Sequence, residues 1–313
     1  MATLIAPENF SAVADAEALK KAFHGWGTNE KAVIAILGHR NAAQRKLIWK
    51  AYEEKYQENF IKRLESELSG HFEKAMYRWI FDPADRDALL VNVAIKKVPD
   101  YRVIVEMSCI KSAEDFLIVK RAYQIRYKRS MEEDVAAYTS GDMRKLLVAL
   151  VGVHRYDGGE IDTKLAKSEA DVLNKAIKEK VVNHEEIIRI ITTRSKAQLM
   201  ATRNHYKDDH GISISKHLAQ HPANEFLSAL RAAIKCLTEP KKYYEKVLRN
   251  ALKQKGTDED ALTRVIVTRA EVDLEEIKDL YYKRNSVTLE HAVAKETSGD
   301  YKLFLLTLLG KTD

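Results

Sequence analysis

The sequence predicts an all-α protein made of four copies of one five-helix unit, and three observations predict it. Helix breakers are scarce, with 12 Gly and 5 Pro in 313 residues, which disfavours the turn-rich chain of an all-β fold. Apolar residues recur at three- and four-residue intervals, the spacing of one helix face. The chain also aligns with itself. At an offset of 229, Gly27, Thr28, Glu30, Arg40, Tyr52, Glu67, Ser69 and Gly70 fall on Gly256, Thr257, Glu259, Arg269, Tyr281, Glu296, Ser298 and Gly299. At an offset of 71, Tyr52, Tyr56, Ser69 and Gly70 fall on Tyr123, Tyr127, Ser140 and Gly141, with Lys111 in place of Arg40. At 154, Arg40 and Tyr52 fall on Arg194 and Tyr206. A period this long points to a compact repeat unit rather than a short solenoid turn.

The elements of the first unit follow in order. Ala18, Leu19, Ala22 and Phe23 form one face of a helix over 15–23 that ends at Gly25. Thr28 is placed to cap the next helix, whose Val33, Ile34, Ile36 and Leu37 make a broad stripe before Gly38. A third helix spans 42–56 through Leu47, Ile48, Ala51 and Tyr52. A short fourth, with Phe60, Ile61 and Leu64, reaches Glu67. Ser69-Gly70 opens the fifth, through Phe72, Ala75, Met76, Trp79 and Ile80, and Asp82-Pro83 stops it. Repetition of this unit predicts repeats at 12–82, 83–153, 161–237 and 238–310. The polar, Gly-containing stretch 154–160 is the clearest seam.

Bulk properties narrow the function. The chain is 45% hydrophobic and 31% charged, with no apolar run near the roughly 18 residues that span a bilayer. Its first residues lack a basic segment followed by an apolar one, so no signal peptide is read and a cytosolic location is expected. Cys109 and Cys236 cannot form a disulfide framework. The net charge of +6 is mild and mixed, which does not fit a nucleic-acid binder but favours an anionic membrane surface.

The chemistry centres on two stretches. Phe23-His24-Gly25-Trp26-Gly27-Thr28-Asn29-Glu30 is followed by Glu67 forty residues after Gly27, and Leu252-Lys253-Gln254-Lys255-Gly256-Thr257-Asp258-Glu259 by Glu296 at the same distance from Gly256. A helix end leaves carbonyls without intrahelical partners, and glycine lets a loop bend so that several converge. Carbonyls of Phe23, Gly25 and Gly27 with a bidentate Glu67 supply five of the six to eight oxygens that calcium takes. The open positions and the residual positive charge suit a lipid phosphate. The two other repeats have lost loop and acid together: Lys96, Val98 and Pro99 with Tyr138 in the second, and Glu179, Val181 and Val182 with His221 in the third.

With these motifs the sequence resembles the annexin family over essentially its whole length, and the two retained loops with Trp26 resemble its plant branch. The resemblance implies a slightly curved disc of four five-helix repeats, with repeats one and four forming one module and two and three the other. It implies calcium-dependent binding of anionic phospholipid and assigns ligands residue by residue. Repeat one keeps Phe23, Gly25, Gly27 and Glu67, with Thr28 and Glu30 matching a weaker secondary site. Repeat four keeps Leu252, Gly256 and Glu296, with Thr257 and Glu259, but Gln254 replaces the first glycine, so this loop bends less freely and ranks second. Trp26 and its counterpart Lys255 are expected at the headgroups.

Other features are read more plainly. Arg40, Arg194 and Arg269 are expected in structural ion pairs. The plant branch is associated with F-actin through Ile188-Arg189-Ile190, but two isoleucines at this spacing fit a buried helix stripe. A peroxidase-like role resembling that of a histidine at His39, and a redox role for Cys109 and Cys236, define the enzymatic alternative, with nucleotide hydrolysis; no catalytic residue is assigned. Gly310-Lys311-Thr312 resembles the tail of a phosphate loop but follows no strand. His205, His210, His217 and His221 are dense without a partner set for a transition metal. The expected partners are therefore phosphatidylserine-like membranes, with F-actin, weak self-association on membranes and a calcium-independent scaffold as alternatives.

Overall fold

A computed structural model describes residues 1–24, 27–97, 100–179, 184–253 and 256–311. Among these there are twenty helices and no strand. The first repeat holds α1 (Ala12–Ala22), α2 (Glu30–Leu37), α3 (Ala42–Tyr56), α4 (Phe60–Glu67) and α5 (Gly70–Ile80). The second holds α6 (Pro83–Lys96), α7 (Tyr101–Ile110), α8 (Ala113–Tyr127), α9 (Met131–Tyr138) and α10 (Gly141–Gly152). The third holds α11 (Thr163–Lys178), α12 (His184–Thr193), α13 (Lys196–His210), α14 (Ile214–Leu218) and α15 (Glu225–Thr238). The fourth holds α16 (Pro240–Lys253), α17 (Glu259–Arg269), α18 (Leu274–Asn285), α19 (Leu289–Glu296) and α20 (Gly299–Leu308).

Local chemistry sets the helix ends. Asn41 accepts from the Gln44 amide while Gln44 reaches back to the Asn41 amide, a reciprocal cap on α3. Asn29, not Thr28, caps α2 by accepting from the Ala32 amide, and Asp258 does the same for α17. The helix therefore starts one residue later than the sequence predicts, which frees the Thr28 hydroxyl for another partner. Two predicted core positions also differ. Ala18 and Leu47 are exposed; Ala16 takes the inward place on α1, and α3 buries Gln44, Arg45, Ile48 and Tyr52.

The chain divides into two compact units, Met1–Arg86 with Tyr244–Asp313, and Asp87–Tyr243. In the first, α5 packs on α17 and α2 on α20, so that repeats one and four share a core. Phe72 and Trp79 meet Phe304 edge-on at 5.7 and 6.5 Å, and the Trp79 indole donates to the Leu37 carbonyl at 2.8 Å. Arg45, with a fully buried side chain, stacks 3.6 Å over the Trp79 ring and pairs with Glu271 at 3.0 Å. In the second, α7 packs on α15 and α10 on α12. There the Tyr243 hydroxyl donates to buried Glu106 at 2.7 Å.

The polar stretch 154–160 joins α10 to α11, between repeats two and three and within the second compact unit. It is tied down by polar contacts: Asp157 accepts from the Ala113 amide at 2.7 Å, and buried Arg155 donates to the Arg194 carbonyl. The expected repeat ion pairs are present. Arg40 grips Asp15 at 2.7 and 3.0 Å, Arg194 grips Glu169 at 2.7 Å, and Lys111 meets Asp87 at 2.6 Å. Arg269 pairs with Asp273 at 2.7 Å and lies 4.9 Å over the Tyr244 ring. No helix among the described residues is long and apolar enough to cross a membrane.

Candidate functional site

In repeat one, the end of α1, the start of α2 and the end of α4 meet. Phe23 is the C-cap of α1; its ring is buried edge-on against Tyr52 at 6.2 Å. Gly27 is exposed with φ +93°, a backbone conformation that costs a side-chain-bearing residue strain. The Asn29 amide donates back to the Ala22 carbonyl at 2.9 Å and closes the loop. Glu67 ends α4, and the Thr28 hydroxyl reaches both its carboxylate and its backbone carbonyl, the latter at 3.1 Å. Glu30 is the first residue of α2. Gly25 and Trp26 lie outside the described residues.

Repeat four reproduces the frame. Leu252 is buried near the end of α16, and Gly256 has φ +93°, the value at Gly27. The Asp258 amide donates to the Ala251 carbonyl at 3.0 Å, and the Thr257 hydroxyl to the Glu296 carbonyl at 3.1 Å. Gln254 and Lys255 lie outside the described residues. Glu259 opens α17, where His71 Nε2 approaches its carboxylate at 3.8 Å. The Tyr301 hydroxyl donates to the Glu259 carbonyl at 3.2 Å, and burial pushes it up to about 12. Glu30, Glu259, Glu296 and His71 share a cleft of about 290 Å³ within the first compact unit.

Arg63 is the participant that the sequence reading missed. Its Nη2 donates to the Phe23 carbonyl at 2.8 Å and lies 2.7 Å from Glu67 Oε1. Two oxygens expected to hold a cation therefore converge on one cationic nitrogen. The signal was present in sequence, since Arg63 and Glu67 stand one helical turn apart. What it does to the Phe23 carbonyl depends on α1 and α4 coming together.

In repeats two and three other polar pairs stand at positions matching those around the repeat-one site. Lys96 Nζ, at the position of Gly25, lies 2.8 Å from Asp134 and 5.7 Å over the exposed Tyr138 ring, which stands at the acid position. Val98 and Pro99, with Val181 and Val182 of repeat three, lie outside the described residues. In repeat three the Tyr206 hydroxyl bonds His217 Nδ1, and burial, with the nearby His221, Lys178 and His210, pushes the His217 pKa down. No group of three or more His, Cys, Asp or Glu among the described residues is arranged to hold a metal.

Most of the secondary candidates lie at buried or partly buried positions. Ile188 and Ile190 are buried, as a helix stripe predicts, and the exposed Arg189 pairs with Glu186 at 2.8 Å. His39 is half-buried, and burial with the adjacent Arg40 charge pushes its pKa down. Cys109 and Cys236 are buried and form no disulfide with one another, and burial raises the Cys109 thiol. Gly310, with φ +84°, terminates α20: its amide donates to Thr307 at 3.0 Å and that of Lys311 to Leu306 at 3.1 Å. That glycine belongs to a helix cap rather than a phosphate loop; Thr312 lies outside the described residues.

Comparison with known proteins agrees with this architecture. The family model described as Annexin matches four segments, residues 14–79, 86–150, 168–233 and 243–308. Annexin-like protein RJ4 of Fragaria ananassa is 70% identical over 314 residues, covering 100% of both chains. Among solved structures, annexin III superposes with a TM-score of 0.94 at 33% identity, covering 100% of this chain and 98% of that one. Calcium-bound annexin (Sm)1 superposes with a TM-score of 0.84 at 28% identity, covering 99% and 93%. Four matched repeats, the helical fold and these identities carry one conclusion: the chain belongs to the annexin family.

Proposed function

We propose that this protein binds anionic phospholipid membranes in a calcium-dependent way through the loops of repeats one and four. The observation that carries the reading is the convergence of the Phe23 carbonyl and the Glu67 carboxylate on a single cationic group at 2.8 and 2.7 Å. Carbonyl and carboxylate oxygens of this kind are the ligands that calcium takes. The residues that would hold it are Phe23, Gly25, Gly27 and Glu67 in repeat one, and Leu252, Gln254, Gly256 and Glu296 in repeat four. Thr28 with Glu30, and Thr257 with Glu259, would form weaker secondary sites.

Bound calcium would supply positive charge beyond what one carboxylate neutralises, which a lipid phosphate completes. The chain's own contribution is to hold the frame. The positive-φ glycines set the loop path, and the Thr28 and Thr257 hydroxyls tie each loop to the end of the helix that carries the acid. Trp26 and Lys255 would meet the headgroups, and the net charge of +6 favours an anionic surface. Repeats two and three carry Tyr138 and His221 at the acid position and would not bind calcium this way. The protein would move reversibly between the cytoplasm and membranes as a peripheral, non-catalytic component. Linkage makes the coupling reciprocal, so lipid raises calcium affinity by the factor that calcium raises lipid affinity.

Co-sedimentation with phosphatidylserine vesicles tests the reading. Calcium is expected to drive pelleting and chelator to reverse it, while Glu67→Gln with Glu296→Gln is expected to abolish it. Pelleting that needs no calcium and dissolves in high salt would place the activity on the basic surface instead.

A further inference from the structure

Arg63 bridges the end of α1 and Glu67 in repeat one without belonging to the expected ligand set. One nitrogen, Nη2, engages both the Phe23 carbonyl and Glu67 Oε1, and the guanidinium carbon lies 5.9 Å from the centre of the Phe23 ring. The side chains of Arg63 and Glu67 are only 28% and 17% exposed, so the contact is partly shielded from water. The repeat offsets place Asp134, His217 and Ala292 at the positions matching Arg63. Repeat four therefore has the same glycine conformation and the same threonine-to-carbonyl tie, but a methyl group where repeat one has a cation. Glu296 is exposed, and its carboxylate makes no ion pair among the described residues. Repeat two carries the exchange further: Lys96 stands at the first-glycine position and pairs with Asp134.

We infer that Arg63 sets the calcium affinity of the repeat-one loop, acting as an internal cation that must leave Phe23 and Glu67 before calcium binds, so that repeat four fills first. The inference rests on the reading of both loops as calcium sites. It inverts the order expected from the glycine pattern, which favours repeat one. The physical reason is competition. If calcium binds only the conformers in which Arg63 has withdrawn, its apparent affinity falls by the fraction withdrawn. Glu58 offers the displaced guanidinium a second carboxylate, since Arg63 Nη1 already lies 3.6 Å from Glu58 Oε1. Glu58, whose other oxygen accepts from Lys20 and Tyr52, therefore remains as an acidic partner when Arg63 leaves Glu67.

Two full-length single-site backgrounds separate the loops: Glu296→Gln leaves repeat one, and Glu67→Gln leaves repeat four. Half-saturating calcium is read twice, from the calcium-induced rise in Tm of the lipid-free protein and from pelleting with phosphatidylserine vesicles. Adding Arg63→Gln to the repeat-one background is expected to lower half-saturating calcium on the order of tenfold. Arg63→Lys, which keeps the charge but loses the planar fork, is expected to fall between. Adding Ala292→Arg to the repeat-four background is expected to raise half-saturating calcium by a similar factor. A structural brace would behave oppositely, because its removal would loosen the loop and weaken binding. Unchanged or weakened calcium binding in Arg63→Gln overturns the inference while the loop assignment stands. Loss of the calcium response in both backgrounds and in the unmodified protein overturns the loop assignment itself.

Discussion

Replacing Glu271 with alanine tests how repeats one and four are held together. Glu271 Oε2 lies 3.0 Å from Arg45 Nη2, and Oε1 accepts from the Ala42 amide at 2.7 Å. Arg45 is fully buried, donates from Nη1 to the Arg40 carbonyl at 2.7 Å and stacks on Trp79. Burial pulls its pKa down to about 10, which Glu271 opposes, and the guanidinium remains charged at neutral pH. Deleting one partner of a buried pair costs roughly 3–5 kcal/mol because the other charge stays behind. Glu271 is 21% exposed, so water reaches the vacated side and the lower end, about 3 kcal/mol, applies. The orphaned Ala42 amide adds about 1 kcal/mol. For a chain of 313 residues unfolding together, about 4 kcal/mol corresponds to a fall of roughly 6 °C in Tm. Urea denaturation in chelator, followed by circular dichroism, measures the loss. Adding Arg45→Met removes the stranded charge and is expected to recover about half of it. A cost below about 1 kcal/mol for Glu271→Ala, or a double variant that simply sums two losses, would refute the stranded-charge argument.

Two further predictions follow from the backbone and from histidine. Gly256→Ala places a side chain at φ +93° where no neighbouring atom would clash, so the expected cost is conformational alone, about 1 kcal/mol, with a weaker calcium response in the Glu67→Gln background. An unchanged response in vesicle pelleting would remove Gly256 from the loop's essential frame. His217 has a folded pKa below its ordinary 6.5, so the unfolded chain takes up the proton more readily. Stability from this group is therefore present above about pH 6.5 and lost as pH falls through that value towards the folded pKa. Comparing urea midpoints at about pH 7.5 and 5.5, His217→Gln is expected to reduce the loss on acidification, and an unchanged loss would exclude His217 as a source.

The sequence by itself determined the all-α class, the repetition and the position of the two loops. These depend on interactions local in the chain: helical periodicity, breakers such as Asp82-Pro83, and glycines at Gly27 and Gly256. The same residue types recur at offsets of 71, 154 and 229 because each repeat solves the same local problem. Where alternatives compete within a few residues, periodicity alone misassigned them. Asn29 took the cap expected of Thr28, and Ala16 the inward place expected of Ala18. Tertiary structure decided what satisfies each helix end and each buried charge. The Phe23 carbonyl is an orphan of α1 whichever partner it finds, and that partner, Arg63, comes from α4, forty residues on. Arg45 looks like a surface cation in sequence and becomes a buried joint only because Trp79 and Glu271 close over it. Ion pairing and carbonyl capping act over a few ångströms in space, irrespective of separation along the chain, so they appear only when the helices are packed.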